Sequence, residues 1–308
     1  MMEKVQCTYC SADTIYTRAY EGVTFCSKCF RKAIEDRVRR TVTKYEMLEF
    51  DDHVAVAVSG GKDSLTLLNM LVKLEERFPR SKITAISVDE GIKGYRDEAL
   101  EIAREACEKL GVEQRVVSYQ DLFGTTTDEI AEMHLGQTPC SYCGVFRRKA
   151  INKAAEMVGA TKIATAHNLD DEVQTVLLNM LHGDSWRLVR SGPVLQDPRG
   201  KFLTRIKPLC DIPEKEIVLY AYLNGFNFQS IACPHGGEAV RNDIRNFLNQ
   251  MDQKHPGTKF TLQRTAERLR ELLARTAPVL ELNACTRCGD PTSHQLCEAC
   301  IMLDAIAA

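Results

Sequence analysis

Thirteen cysteines in 308 residues are the first chemistry this chain offers. Cys7-x2-Cys10 and Cys26-x2-Cys29 flank a 15-residue stretch, and Cys285-x2-Cys288 and Cys297-x2-Cys300 flank one of 8 residues. Each set supplies four thiolates as two close knuckles, the pattern of a closed tetrahedral Zn²⁺ site. His294 lies between the last two pairs, but four cysteines already complete the coordination. Terminal segments of about 30 residues are too small to hold a core unaided, so metal binding would supply their folding energy.

Five cysteines remain. Cys140 and Cys143 form a third pair, in PCSYCG, and Cys233 follows ninety residues later in IACPHG. Spacing does not complete a four-cysteine site here. Three thiolates suit a [4Fe–4S] cluster with one iron free, a disulfide plus a spare thiol, or buried thiols. Cys107, in DEALEIAREACEKLG, and Cys210, in IKPLCDI, read as packing residues.

The second chemical signal is SGGKDS, Ser59 to Ser64, between the apolar run HVAVAV and a helical pattern. It is neither G-x-x-x-x-G-K-[ST] nor G-x-G-x-x-G. Two glycines let backbone N–H groups approach an anion at a helix N-terminus, while the serines and Lys62 add donors and charge. A third polar stretch, TAHNLDDE, holds Asp170 and Asp171 at another helix start. One acid there is explained by capping, a role the sequence assigns to Asp170.

These stretches need elements to position them. HVAVAVS, KITAISVDE, EQRVVSY and TKIATAH read as strands, each followed by a helical run, the second half of the third unit beginning only at GVFRRKAINKAAEMVG. Repeated β–α units imply an α/β fold, a parallel sheet with helices on both faces. Beyond Asp211 the chain reads as helical. In such sheets ligands lie at the carboxyl ends of the strands, where SGGKDS, VDEG and TAHNLDDE fall. The boundaries expected are a zinc module at 1–31, a nucleotide-binding domain at 32–276 and a second zinc module at 277–308. A net charge of −2 argues against a uniformly basic coat. No apolar run reaches about 18 residues, and MMEKVQC lacks a secretory apolar stretch, so a cytoplasmic protein with no membrane contact is expected.

SGGKDS resembles the PP-loop of ATP pyrophosphatases, which adenylate a carbonyl oxygen. Together with PCSYCG, HNLDDE, the CP at Cys233 and cysteine knuckles at both ends, it resembles the tRNA 2-thiouridine synthetases of the TtuA/NcsA group over essentially the whole chain. The resemblance implies the PP-loop, adenine nucleotide alpha-hydrolase-like fold and ATP-dependent tRNA uridine 2-thiolation. ATP adenylates the C2 oxygen of a uridine, and sulfur then displaces AMP. It implies that Ser59, Gly60, Gly61, Asp63 and Ser64 hold the phosphates, with Asp63 placing Mg²⁺, and that Ala57 and Val88 border the adenosine. Arg147 and Ala166 complete the ATP site, at positions often occupied by Lys and Gly in relatives. Arg147 keeps the charge but cannot accept a proton. The resemblance makes Cys140, Cys143 and Cys233 the [4Fe–4S] ligands, with a cysteine persulfide as a rival sulfur carrier, and Asp171 a functional carboxylate, ranked above His167. Sulfur comes from outside the chain, from a ubiquitin-like protein thiocarboxylate or sulfide, and a homodimer is compatible with this reading.

For tRNA the candidates are RVRRTVTKY (Arg37 to Tyr45), RRK (Arg147 to Lys149), WRLVR (Trp186 to Arg190) and the zinc modules. HGDSWRLVRSGP is closer to the group that modifies uridine 34 than to the group acting on uridine 54. The related cytidine-thiolating TtcA group lacks the paired terminal zinc modules. Without thiolation, the same motifs would suit a PP-loop ligase or a zinc RNA-binding protein.

Overall fold

The computed structural model describes residues 5–75, 80–196, 200, 202–236, 240–276 and 283–307. In chain order these form β1 (Tyr16–Arg18), β2 (Val23–Phe25), α1 (Ser27–Lys44), β3 (His53–Ala57), α2 (Lys62–Glu75), β4 (Lys82–Asp89), α3 (Arg96–Leu110), β5 (Glu113–Ser118), α4 (Tyr119–Phe123), α5 (Thr127–Glu132) and α6 (Pro139–Met157). There follow β6 (Lys162–Ala164), α7 (Leu169–Leu181), α8 (Ser185–Val189), β7 (Val194–Leu195), β8 (Thr204–Ile206), α9 (Glu214–Leu223), α10 (Val240–Lys254), α11 (Thr258–Ala274), β9 (Asn283–Ala284), β10 (Pro291–Thr292) and α12 (Glu298–Ala307).

The alternation of strand and helix builds a six-stranded sheet in the order β5-β4-β3-β6-β8-β7. All neighbours are parallel except β7, which runs antiparallel to β8 at the edge. The central strand β3 is sequestered because both faces are covered. Val54 and Val56 face a core shared with α1, α2 and α9, and Ala55 faces a second core with α6 and α12. The four strands expected from the sequence are all present. The edge pair β7–β8 is an addition, too short to carry a period-2 pattern. The loop expected after β5 instead holds two short helices, and α6 begins at Pro139, so the PCSYCG pair sits on a helix. Proline at the first helical position has the dihedral angle the turn needs and lacks an N–H that would go unused.

The terminal segments pack onto the domain. The second N-terminal knuckle opens α1, with Cys26 as its N-cap. Arg18, in β1, makes a two-point contact with the fully buried Glu216 of α9, at 3.0 and 2.8 Å, and Tyr16 and Tyr20 donate to the same carboxylate. At the other end Ala299 and Met302 of α12 enter the core of α6. The expected boundary at 276/277 borders residues 277–282, which lie outside the described residues. No helix among the described residues is long and apolar enough to cross a membrane.

Candidate functional site

β3 lies between β4 and β6, so the carboxyl ends of these three strands stand side by side, and the strand order reverses here: the chain runs from β3 out to β5 on one side and then crosses to β6 on the other. That is the position where open α/β sheets bind ligands. SGGKDS leaves β3 here. Gly60 has a φ of +84°, and a Cβ on it would come within 2.2 Å of the Ala99 carbonyl oxygen, so no other residue fits. The loop is closed by Ser64, whose Oγ accepts from Ser59 N–H at 3.1 Å and donates to the Gly61 carbonyl at 2.9 Å. Ala57 ends β3, and Val88 is the penultimate residue of β4. Val88 is buried in the core, while Ala57 and Ala166 are half-buried.

Lys62 pairs with Asp63 at 2.8 Å and with Glu214 at 2.9 Å. Burial opposes its charge, yet these two carboxylates hold its pKa above the ordinary lysine value. Asp63 also accepts from Asn168 Nδ2 at 3.1 Å. Asn168, not Asp170, is the N-cap of α7, and Asp171 completes a reciprocal capping box with it. Asp170 instead pairs with Lys259 and accepts from Glu214 N–H. Asn168 therefore carries two acids, Asp63 and Asp171, at adjoining strand ends. Burial raises the Asp171 pKa to about 6, with Asp63 and Glu214 adding to it and the Asn168 N–H and Arg241 opposing. His167 is exposed just past β6, with Nδ1 2.9 Å from Thr165 Oγ1. Loss of water around its ring and then Lys207, Arg241 and Arg205 lower its pKa to about 3.

The central cysteines lie at the same edge. Segment 229–236 starts at the PP-loop, where Gln229 N–H donates to the Gly60 carbonyl at 3.0 Å. It ends beside α6, where Cys140 Sγ donates to the His235 carbonyl at 3.0 Å. His235 is fixed in turn by Asp128 at 2.6 Å. Cys233 lies between these anchors, half-buried, near enough to Tyr95 to influence its hydroxyl. Cys140 is exposed in the first turn of α6. Cys143 is buried, which pushes its thiol up, while Arg147 opposes this with Nη2 at 3.1 Å from the sulfur. These three sulfurs do not converge within 4.8 Å of one another, as the terminal sets do. A single ion would need that convergence; a cube of four irons holds its ligands farther apart. The soft donor set fits an iron–sulfur group.

Sequence reasoning missed two residues that join the halves of the site. Glu90, just past β4, lies 2.9 Å from Arg147 Nε and 2.8 Å from Arg96 Nε, and Arg96 Nη1 donates to the Ser59 carbonyl at 2.9 Å. It also missed Arg205, Lys207 and Arg241, which face His167. Arg148, expected for tRNA, lies near Arg205 and Arg187. Burial and then these like charges lower both Arg148 and Arg205, which form a cationic strip in which Arg205 also donates to Asn152 Oδ1 at 2.7 Å. By contrast Arg37, Arg39 and Lys44 of RVRRTVTKY are tied to Glu21, Asp36 and Glu267, and Arg187 to Asp184. Trp186 is 38% exposed rather than packed.

At the termini each cysteine set gathers four sulfurs within 4.8 Å. The nearest are Cys10–Cys26 at 3.5 Å, Cys29–Cys10 at 3.6 Å and Cys288–Cys297 at 3.6 Å. A disulfide needs about 2.05 Å, whereas tetrahedral zinc with ~2.3 Å bonds spaces its sulfurs about 3.8 Å apart. The geometry fits an ion and not a bridge. Cys107 and Cys210 are buried in the first core, as expected.

The PP-loop domain family matches residues 31–252. The tRNA 2-thiolation protein NcsA of Haloferax volcanii is 36% identical over 320 residues, covering 99% of this chain and 100% of that protein. The chain belongs to the PP-loop tRNA 2-thiolation family. Its bovine member, cytoplasmic tRNA 2-thiolation protein 1 of Bos taurus, is 39% identical over 311 residues, 99% of this chain and 89% of that protein. The solved U34-tRNA thiolase NcsA from Methanococcus maripaludis, with its [4Fe–4S] cluster, superimposes with a TM-score of 0.84 at 34% identity, over 98% of this chain and 96% of that one. The family's PP-loop α/β fold is the fold described above.

Proposed function

We propose that this chain is an ATP-dependent tRNA sulfurtransferase that replaces the C2 oxygen of uridine 34 with sulfur. The observation that carries the reading is the meeting of the PP-loop, the Asp63–Asn168–Asp171 group and three cysteines at one sheet edge. The Ser59–Ser64 backbone and hydroxyls receive the phosphates of ATP, Ala57 and Val88 border the adenosine, and Ala166 completes the site. Asp63 would hold Mg²⁺, and Lys62 beside it supplies positive charge to the phosphates. The uridine O2 attacks the α-phosphorus and pyrophosphate leaves. Adenylation releases the N3 proton of the uridine, and Asp171, with its pKa raised to about 6, is matched to accept it. Arg147, a permanent cation, holds charge beside the reacting groups without moving a proton. Sulfur then attacks C2, and AMP leaves with the former O2.

Cys140, Cys143 and Cys233 would hold a [4Fe–4S] cluster, which with three protein ligands supplies an open iron position for the sulfur to be transferred. The sulfur itself comes from an external donor, a ubiquitin-like thiocarboxylate or sulfide. The strip of Arg148, Arg205 and Arg241 fits tRNA phosphates, which position the RNA while the unstacked base enters. The terminal cysteine sets would each hold one Zn²⁺, which would fold the modules at 1–31 and 277–308 that flank the 32–276 domain. The reading places the protein in the cytoplasm and is compatible with a homodimer.

The test is mass spectrometry of tRNA fragments from a deletion strain and its complemented parent. Loss of 2-thiouridine from anticodon fragments is expected. Loss from T-loop fragments moves the target to uridine 54, loss of 2-thiocytidine moves it to the cytidine reaction, and unchanged tRNA refutes the reading.

A further inference from the structure

Glu90 is buried, with a side chain 6% exposed, and each carboxylate oxygen faces a different arginine. Its Oε2 lies 2.8 Å from Arg96 Nε, and its Oε1 accepts from Arg147 Nε at 2.9 Å. Each arginine has a second commitment: Arg96 Nη1 donates to the Ser59 carbonyl at 2.9 Å, and Arg147 Nη2 to Cys143 Sγ at 3.1 Å. An unbroken series of contacts thus runs from the PP-loop backbone to a cysteine sulfur.

Its supports are rigid. The Glu90 carbonyl accepts from Thr127 N–H at 2.8 Å, and the next residue, Gly91, has a φ of +67° and no room for a Cβ against Thr126. Arg96 shares the first turns of α3 with Ala99, the residue against which Gly60 is wedged. Glu90 and Arg96 are buried and Arg147 is half-exposed, and a buried charge pair adds little net stability over an apolar replacement, so stability alone does not account for it. What it does is fix two guanidinium forks that would repel each other without the carboxylate between them.

We propose that Glu90 is a positioning residue that couples the nucleotide loop to the thiol site: through Arg96 it holds Ser59, through Arg147 it holds the donor on Cys143, and nucleotide binding at the loop is felt at Cys143 through it. The proposal rests on the reading of the site given above, and its two readouts are independent of thiolation.

The substitution is Glu90→Gln, which keeps the size but removes the charge that two guanidiniums share. In protein free of iron, the affinity for a non-hydrolysable ATP analogue falls about tenfold, the scale of one charge-assisted contact. In reconstituted protein, a saturating concentration of the analogue changes the electron paramagnetic resonance spectrum of the reduced cluster in the parent chain and leaves it unchanged in the variant. A purely structural role would lower the melting temperature while leaving that response intact at saturation. Wild-type affinity, a response retained in Glu90→Gln, or no response in the parent chain each overturns the proposal. If Glu90→Gln does not fold, Arg96→Lys keeps the charge beside Glu90 but cannot span it and Ser59 together. The same two losses are then expected, and wild-type behaviour overturns the proposal. A protein that takes up no iron refutes the thiol-site reading, and the affinity measurement still decides the role of Glu90.

Discussion

Replacing Asp171 with Asn should stabilise the protein while abolishing its proposed reaction. The Asp171 side chain is 28% exposed, and its pKa is raised from 3.8 to about 6, chiefly by burial. A carboxyl group with a raised folded-state pKa penalises the fold above that value, where it must be charged in both states. The penalty disappears below the unfolded value, where it is neutral in both. The gap of about two units, at ~1.36 kcal/mol each, sets a ceiling of about 3 kcal/mol, and partial solvent access reduces this to about 1–3 kcal/mol. Asparagine keeps the oxygen that completes the capping box with the Asn168 N–H, so little is lost locally. Denaturant unfolding of both proteins at pH 8 should show Asp171→Asn more stable by that amount. The advantage should shrink as pH falls from 6 toward 4. AMP formation with tRNA and ATP should fall to background. A variant less stable than its parent at pH 8, or one whose advantage does not depend on pH, refutes the electrostatic account.

Elemental analysis of anaerobically purified protein should give two zinc equivalents per chain, and Cys10→Ser and Cys288→Ser should each lose one; folded protein with well under two would refute the assignment. Cys233→Ser should lose iron and sulfide on reconstitution, because a hydroxyl is a poor ligand for a soft site, while ATP binding and zinc persist. A variant that still binds four irons and thiolates normally returns Cys233 to a packing role. Glu216→Ala leaves Arg18, itself only 3% exposed, with Glu21 as its remaining carboxylate partner and takes the shared acceptor from Tyr16 and Tyr20. It should cost about 3–5 kcal/mol in unfolding free energy, and a change under 0.5 kcal/mol would show that the N-terminal segment is held by other contacts.

What the sequence disclosed was chemistry carried by rare residues at fixed short spacings. The terminal cysteine sets and SGGKDS stand out because few structures need such patterns, and period-2 runs beside helical ones set the parallel sheet. What it hid depends on partners far away in sequence. Glu90 looks like a solvated acid at a strand end, and only the fold reveals guanidiniums from α3 and α6 on either side of it. Asp170 and Asp171 are equivalent by position in a helix start. Asn168 takes the cap, Lys259 claims Asp170, and the assignment of Asp170 as the cap fails for that reason. Arg37 and Lys44 read as a basic run for RNA, yet carboxylates from elsewhere in the chain have already claimed them.

Helix α6 holds Cys140 and Cys143 in its first two turns, and further along the same helix Lys149 Nζ lies 3.1 Å from Cys288 Sγ of the C-terminal set. A single inserted or deleted residue between Cys143 and Lys149 would rotate one group about 100° relative to the other. The length of that interval is thus constrained in its own right, apart from the tasks of the side chains filling it, among them Arg147 and the buried Phe146.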